Sequence, residues 1–255
     1  MKLRVLGCSG GIGKGLRTTS LLVDDDILID AGSGVGDLTL DEMANIRHIF
    51  LTHSHLDHVA FLPLLVDSIF ERIDEPIVIH GLPQTIKGVR EHLFNWVIWP
   101  DFATLPNAEN PVMCYEEVEA GHMCNVDGRL FELIPVNHIV PTVGYRVESA
   151  QGKSFAFTGD TTTNDTFWAA LNAHGSLDLL LLEVAFANAY EELSQLARHY
   201  CSKTLAEDIV KLKHNPEIYL THHKPEEDAA IYREVISAIP DRAIKQLKNN
   251  LSFQL

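Results

Sequence analysis

Short apolar runs, many of them β-branched, recur along this chain and alternate with stretches of helical period. Strands are predicted at residues 2–7, 20–23, 27–30, 46–52, 77–80, 130–136, 142–147, 154–158, 179–183 and 217–221. Helical spacing covers 58–73, 84–94, 163–173, 191–197, 203–213 and 226–238. The strands come in hairpin-like groups with helices between them. That order predicts an α/β protein built from stacked sheets flanked by helices, rather than one doubly wound sheet.

Length and composition narrow the picture. The chain has 255 residues, 46% of them hydrophobic, so a packed core needs no disulfide or metal staple. The reading is a single domain over 1–255. Four cysteines, Cys8, Cys114, Cys124 and Cys201, are far apart and form no C-x-x-C, so free thiols are expected. The first 30 residues lack the charged-then-apolar order of a signal peptide, and no apolar stretch of ~18 residues exists. A cytoplasmic, soluble protein without a membrane partner is expected; a homodimer is left open. The formal charge of −15 opposes nucleic-acid partners, which favour a basic face. It permits a small anionic substrate, because bound cations reverse the local sign.

The glycine-rich stretch 7–15 invites a phosphate-loop reading and fails it. A Walker loop ending at Gly13-Lys14 needs Gly where Cys8 stands and Ser or Thr where Gly15 stands. Dinucleotide-binding spacing fails too, leaving a tightly turning loop near a site.

The chemistry concentrates in Thr52-His53-Ser54-His55-Leu56-Asp57-His58, three imidazoles and a carboxylate just after an apolar run. These are ligands that Zn²⁺ and its neighbours prefer. Three other apolar runs end in the same way, at His138, Asp160 and His222. If the four strands lie side by side, seven ligands share one rim: His53, His55, Asp57, His58, His138, Asp160 and His222. Seven suits two ions rather than one tetrahedral ion. His53 and His55, at i, i+2 on one strand-like side, are assigned with His138 to the first ion. Asp57 and His58 are assigned with His222 to the second, and Asp160 bridges. Zn²⁺ leads as the metal, with Mn²⁺ or Fe as alternatives. His80 also ends an apolar run and is left out; His223 is expected to point away, and His48 reads as surface or packing.

The motif His53-Ser54-His55-Leu56-Asp57-His58, with Ile29-Asp30-Ala31-Gly32 before it and Phe157-Thr158-Gly159-Asp160-Thr161 after it, resembles the metallo-β-lactamase superfamily. The resemblance implies a four-layer αββα sandwich with metals at the sheet edges, and a structural role for Asp30 behind the ligands. Asn137-His138-Ile139-Val140-Pro141-Thr142-Val143-Gly144-Tyr145-Arg146 is similar to ribonuclease Z. Asn95 to Phe102 and Leu220-Thr221-His222-His223-Lys224-Pro225 resemble class II cyclic-nucleotide phosphodiesterases, as does the stretch from Leu182-Glu183 to Arg198-His199-Tyr200. Both branches place a further His at His199 and cleave phosphodiesters.

No basic, glycine-rich arm stands between His58 and His138; that stretch is apolar and acidic, with Glu116, Glu117 and Glu119. The expectation is therefore a dinuclear phosphodiesterase converting cAMP or cGMP to the 5′-monophosphate. A hydroxide shared by the ions attacks phosphorus in line. His199 is the expected acid for the leaving 3′ oxygen, Glu183 orients it, and Asp57 completes the catalytic set. Trp96, Trp99 and Phe102 read more as packing than as a purine platform. The alternatives are a ribonuclease Z-like tRNA 3′-processing endonuclease and a non-catalytic nucleotide-binding member of the fold.

Overall fold

The computed structural model describes residues 1–255. In chain order the strands are β1 (Lys2–Gly7), β2 (Ser20–Val23), β3 (Ile27–Ile29), β4 (His48–Phe50), β5 (Ile77–Gly81), β6 (Pro106–Asn107), β7 (Asn110–Pro111), β8 (Met113–Glu117), β9 (Met123–Val126), β10 (Arg129–Val136), β11 (Thr142–Glu148), β12 (Ser154–Phe157), β13 (Leu179–Glu183), β14 (Glu217–Thr221), β15 (Ile244–Gln246) and β16 (Ser252–Gln254). The helices are α1 (Leu40–Ala44), α2 (Leu56–Val59), α3 (Leu62–Ser68), α4 (Pro83–His92), α5 (Thr166–Ala173), α6 (Glu191–Ala197), α7 (Ser202–Asp208) and α8 (Asp228–Ala238). None is long and apolar enough to cross a membrane.

Two seven-stranded mixed sheets carry the fold, in the orders β16-β1-β2-β3-β4-β5-β8 and β15-β14-β13-β12-β11-β10-β9; β6 and β7 form a separate small hairpin. In the first sheet the pairs from β3 through β4 and β5 to β8 are parallel. In the second, the pairs from β12 through β13 and β14 to β15 are parallel. Strand alternation explains the layering. Leu3, Val5, Leu21, Val23, Ile27 and Ile29 face Phe131, Leu133, Tyr145, Val147, Leu179 and Leu181 across the space between the sheets. The intervening residues face outward: Leu22, Leu28 and Ile49 pack with Leu62, Leu65 and Ile86 of α3 and α4. Leu180, Leu182 and Leu220 pack with Trp168, Leu205 and Ile231 of α5, α7 and α8. Leu179 to Leu182 is an unbroken apolar run because both faces of β13 are covered. The result is the αββα sandwich.

Two expectations change in detail. The stretch 46–52 gives only β4, because Leu51 and Thr52 leave the strand. The chain is instead pinned across the sandwich, where Tyr145 Oη donates to the Leu51 carbonyl (2.7 Å) and Val143 N to that of Thr52 (3.1 Å). The stretch 58–73 is not one helix but α2, α3 and a 3₁₀ turn at Phe70–Arg72. Pro63, in the first turn of α3, has no N–H to continue a ladder. All four cysteines are free, as expected.

Candidate metal centre

The seven side chains selected from the sequence meet in one place, though not by the route that their spacing suggests. The four runs do not lie side by side in one sheet. β4 belongs to the first sheet, whereas β10, β12 and β14 belong to the second. The site forms where the coil after β4 and the first turn of α2 meet the ends of those three strands. His53 and His55 lie in that coil and not on a strand.

The donor atoms sort into two overlapping groups that share Asp160: His53, His55, His138 and Asp160, and Asp57, His58, His222 and Asp160. In the first group, His53 Nε2 is 3.6 Å from Asp160 Oδ2 and His138 Nε2 is 3.2 Å from His55 Nδ1. In the second, Asp160 Oδ1 is 3.3 Å from both His58 Nε2 and His222 Nε2, and His222 Nε2 is 3.2 Å from Asp57 Oδ2. Donor atoms about 2.1 Å from one tetrahedral ion stand about 3.4 Å apart, so these separations are those of a coordination shell. His53 Nε2, His58 Nε2 and Asp160 Oδ1 are buried without a hydrogen-bond partner. Orphaned polar atoms are costly, and a pair of cations would satisfy all three. The cluster is thus consistent with a dinuclear metal site.

The far side of each ring is held. His58 Nδ1 donates to Asp30 Oδ2 (2.6 Å), while Thr52 N and Oγ1 donate to the same carboxylate. His53 Nδ1 meets Thr52 Oγ1 (2.9 Å), and His138 Nδ1 donates to the Arg198 carbonyl (3.0 Å). These partners fix ring orientation and tautomer, as the groups behind metal ligands do. The backbone is strained here. Asp30 (φ 60°), Arg198 (φ 51°) and His222 (φ 64°) are left-handed without being glycine, a cost tolerated mainly where function needs it.

Burial, then neighbouring imidazoles, push His53 well below the usual histidine range. Burial likewise lowers His138 to about 4. Both are therefore neutral lone-pair donors near pH 7. Burial would raise Asp160, but the His222 and His58 imidazoles outweigh it and hold its carboxyl well below the usual range. Burial would lower His58, but Asp160 and Asp30 outweigh it and raise it.

The Glu183–His199 pair stands beside the cluster, grouped with Asp160 and His222. Glu183 ends β13 with no exposure, His199 follows α6, and His199 Nδ1 meets Glu183 Oε1 at 2.5 Å. The His199 ring is 4.9 Å from that of His138 and 5.3 Å from that of His222, so it lies beside both halves of the cluster. Burial pushes Glu183 up and His199 down, so the pair shares one proton rather than separating charge.

A model of the β-lactamase superfamily domain matches residues 26–233, most of the chain. The chain belongs to the metallo-β-lactamase superfamily. Among members of the superfamily, it is 26% identical over 229 residues to the 3′,5′-cyclic-nucleotide phosphodiesterase of Aliivibrio fischeri, covering 72% of this chain and 67% of that one. It is 34% identical to the ribonuclease Z of Staphylococcus carnosus over a shorter stretch of 127 residues, 48% of this chain and 39% of the other. Its fold superposes on the solved structure of unliganded yeast PDE1 with a TM-score of 0.82 at 17% identity, covering 100% of this chain and 99% of that one.

Other selected residues fall outside the superfamily centre. Phe102 is buried in the helix-side core, Trp99 packs against it, and Trp96 is exposed. His223 turns away, its Nδ1 donating to the Val184 carbonyl. Thr52 and the Arg198 carbonyl are supporting groups that sequence reasoning misses. Thr52 stands directly before the motif; a backbone carbonyl turned by a left-handed residue carries no compositional signal.

Proposed function

We propose that this chain is a metal-dependent phosphodiesterase acting on 3′,5′-cyclic nucleotides. The observation that carries the reading is a seven-donor cluster, divided about Asp160, with a buried Glu183–His199 pair beside it. The likeness to cyclic-nucleotide phosphodiesterases supports the substrate class. So does the acidic stretch around Glu116, Glu117 and Glu119, an unfavourable surface for tRNA.

When bound, two divalent cations, Zn²⁺ by donor type, supply Lewis acidity at the phosphoryl oxygens and acidify a water for attack. His53, His55 and His138 would hold one; Asp57, His58 and His222 would hold the other; Asp160 would offer one oxygen to each. The ligands bring only two carboxylates, so the loaded site keeps positive charge for a monoanionic cyclic phosphodiester. His199 stands beside the cluster with Nδ1 engaged by Glu183, so its Nε2–H is the group that would protonate the leaving 3′ oxygen. Glu183 positions its ring through Nδ1.

The test is a substrate panel on metal-reconstituted protein: cAMP, cGMP, bis-p-nitrophenyl phosphate, precursor tRNA and a thioester. Turnover of cAMP or cGMP to the 5′-monophosphate supports the reading; cleavage of the aryl diester alone counts against it. The partial likeness to ribonuclease Z supports a second reading as a tRNA 3′-processing nuclease. Failure to retain precursor tRNA in a gel shift at moderate salt removes it.

A further inference from the structure

The glycine-rich loop after β1 contributes no ligand, yet it lies against the metal centre. Gly10 N donates to the His223 carbonyl (2.9 Å), and a Cβ at Gly10 would stand 2.4 Å from the His222 carbonyl oxygen. Lys224 Nζ donates back to the Gly10 carbonyl (2.9 Å). The loop is thus fastened to the strand end that carries His222. The turn after β3 is fastened to α2 in the same way. A Cβ at Gly32 would stand 2.4 Å from the Asp57 carbonyl oxygen, and Phe61 N donates to the Ala31 carbonyl (2.9 Å). His222 and Asp57 meet at 3.2 Å, so the two fastened segments flank one edge of the metal centre. That edge is the open one: the Asp57 side chain keeps 28% exposure, against 2% or less for His58, Asp160 and His222.

Between these segments runs a cleft of about 460 Å³. Its apolar wall is Phe61 with Ile12 and Leu16, and its polar rim is Ser33, Asp37 and Arg17. Three features fit a flat, uncharged ring. First, glycine keeps the wall bare. A Cβ at Gly36 would press on Phe61 Cε1 and one at Gly13 on Leu16 Cδ1, each at 3.0 Å. Second, Ile12 is 76% exposed on a loop held by the contacts above and by Leu16 N, which donates to the Gly13 carbonyl (3.1 Å). An exposed apolar side chain on a fixed loop, sharing a cleft with an aromatic one, marks a binding surface. Third, the rim is neutral. Arg17 Nε and Nη2 donate to Asp37 (3.0 Å each), and Nη1 donates to the Leu16 carbonyl (3.2 Å). With its guanidinium occupied by that pair, the cleft offers no free cation to a phosphate. It offers acceptors, the Asp37 carboxylate and the Ser33 hydroxyl, at the edge of an apolar slot.

We propose that this cleft is a base subsite beside the metal centre, which takes the nucleobase of the substrate against Phe61 and Ile12 with its polar edge at the Ser33–Asp37 rim. The inference rests on the phosphodiesterase reading above and adds to it the surface that selects a nucleoside.

The test is calorimetric, on metal-loaded protein, with 5′-AMP and ribose 5-phosphate as probes. The two share sugar and phosphate and differ in the base. The intact protein is expected to bind 5′-AMP about 10- to 100-fold more tightly, the advantage that stacking on an aromatic ring supplies. Phe61→Ala and Ile12→Asp are expected to lose most of that advantage and to hold ribose 5-phosphate as the intact protein does. Phe61 also packs against the helix-side core, whereas Ile12→Asp alters an exposed side chain and is expected to fold normally. Equal affinity for the two probes in the intact protein, or an unchanged advantage in Ile12→Asp, overturns the proposal. The two readings fail separately. An advantage lost in the variants of a protein that leaves cAMP intact keeps the subsite and sinks the phosphodiesterase reading; hydrolysis of cAMP with an unchanged advantage does the reverse.

Discussion

Asp30 Oδ2 accepts from His58 Nδ1 at 2.6 Å, and Asp30 holds that position in a left-handed backbone conformation with no exposure. It touches no other ring of the cluster directly, so its influence passes mainly through His58, and more weakly through Thr52 Oγ1 to His53 Nδ1. Asn tolerates the same conformation but lacks the charge. Asp30→Asn is therefore expected to keep the fold and to lower affinity in the Asp57–His58–His222 half of the site by about 10- to 100-fold. Metal titration followed by calorimetry checks this; unchanged affinity would remove Asp30 from the site.

His199 and Glu183 are expected to matter only when the leaving group is poor. The 3′ alkoxide of a cyclic nucleotide needs a proton, whereas p-nitrophenolate leaves without one. His199→Ala should lower kcat on cAMP by about 10²- to 10⁴-fold and have a much smaller effect on bis-p-nitrophenyl phosphate, with metal content unchanged. Glu183→Gln should act in the same direction, less strongly. Equal losses on both substrates would give the pair a purely structural role.

Gly32 tests how closely the supporting loops pack. A Cβ there would stand 2.4 Å from the Asp57 carbonyl oxygen and 2.5 Å from that of Thr19, backbone atoms that cannot swing aside. Gly32→Ala should displace the Asp57 turn and cost about 1–3 kcal/mol in stability, together with metal affinity in that half of the site. Urea unfolding and metal titration of the same variant measure both.

The seven donors are legible in the sequence because each follows an apolar run, and those runs are strands with buried faces. Their shared placement on one rim is legible too. Its division between two sheets is not, since spacing along the chain does not say which sheet a strand joins. β8 and β9 escape a sequence reading because they are edge strands with charged or exposed residues at several positions, Glu116, Glu117 and Met123 among them. His48 and His80 each read singly in the sequence, one as a surface or packing residue and the other as a spare; in the structure their rings meet, Nδ1 to Nε2, at 3.0 Å. β15 and β16 have three residues each, too few for a period to register.

The loss of stability on acidification should depend in part on Asp208. Its carboxylate accepts from Trp168 Nε1 (2.6 Å), Tyr200 Oη (2.6 Å), Asn164 N (3.1 Å) and Lys211 Nζ (2.5 Å). Burial opposes ionisation, but these donors outweigh it and lower the pKa. A lowered carboxyl pKa adds stability that is complete above the unfolded value of about 3.9 and is lost as pH falls through the folded value. Asp208→Ala also strands two buried donors, so a loss of about 3 kcal/mol is expected at pH 7. The gap between the two proteins should narrow below about pH 4. Urea unfolding at pH 7 and pH 3 measures it; a gap that widens on acidification would contradict the assignment.

The most direct test of the central claim is product analysis with cAMP on protein stripped and reloaded with Zn²⁺ or Mn²⁺, beside Asp160→Ala treated identically. The expected result is 5′-AMP from the reloaded protein alone, with two ions bound at the seven-donor cluster, and none from the variant or the stripped protein. Turnover that survives in Asp160→Ala, or a fully loaded cluster that leaves both cAMP and cGMP intact, would contradict it.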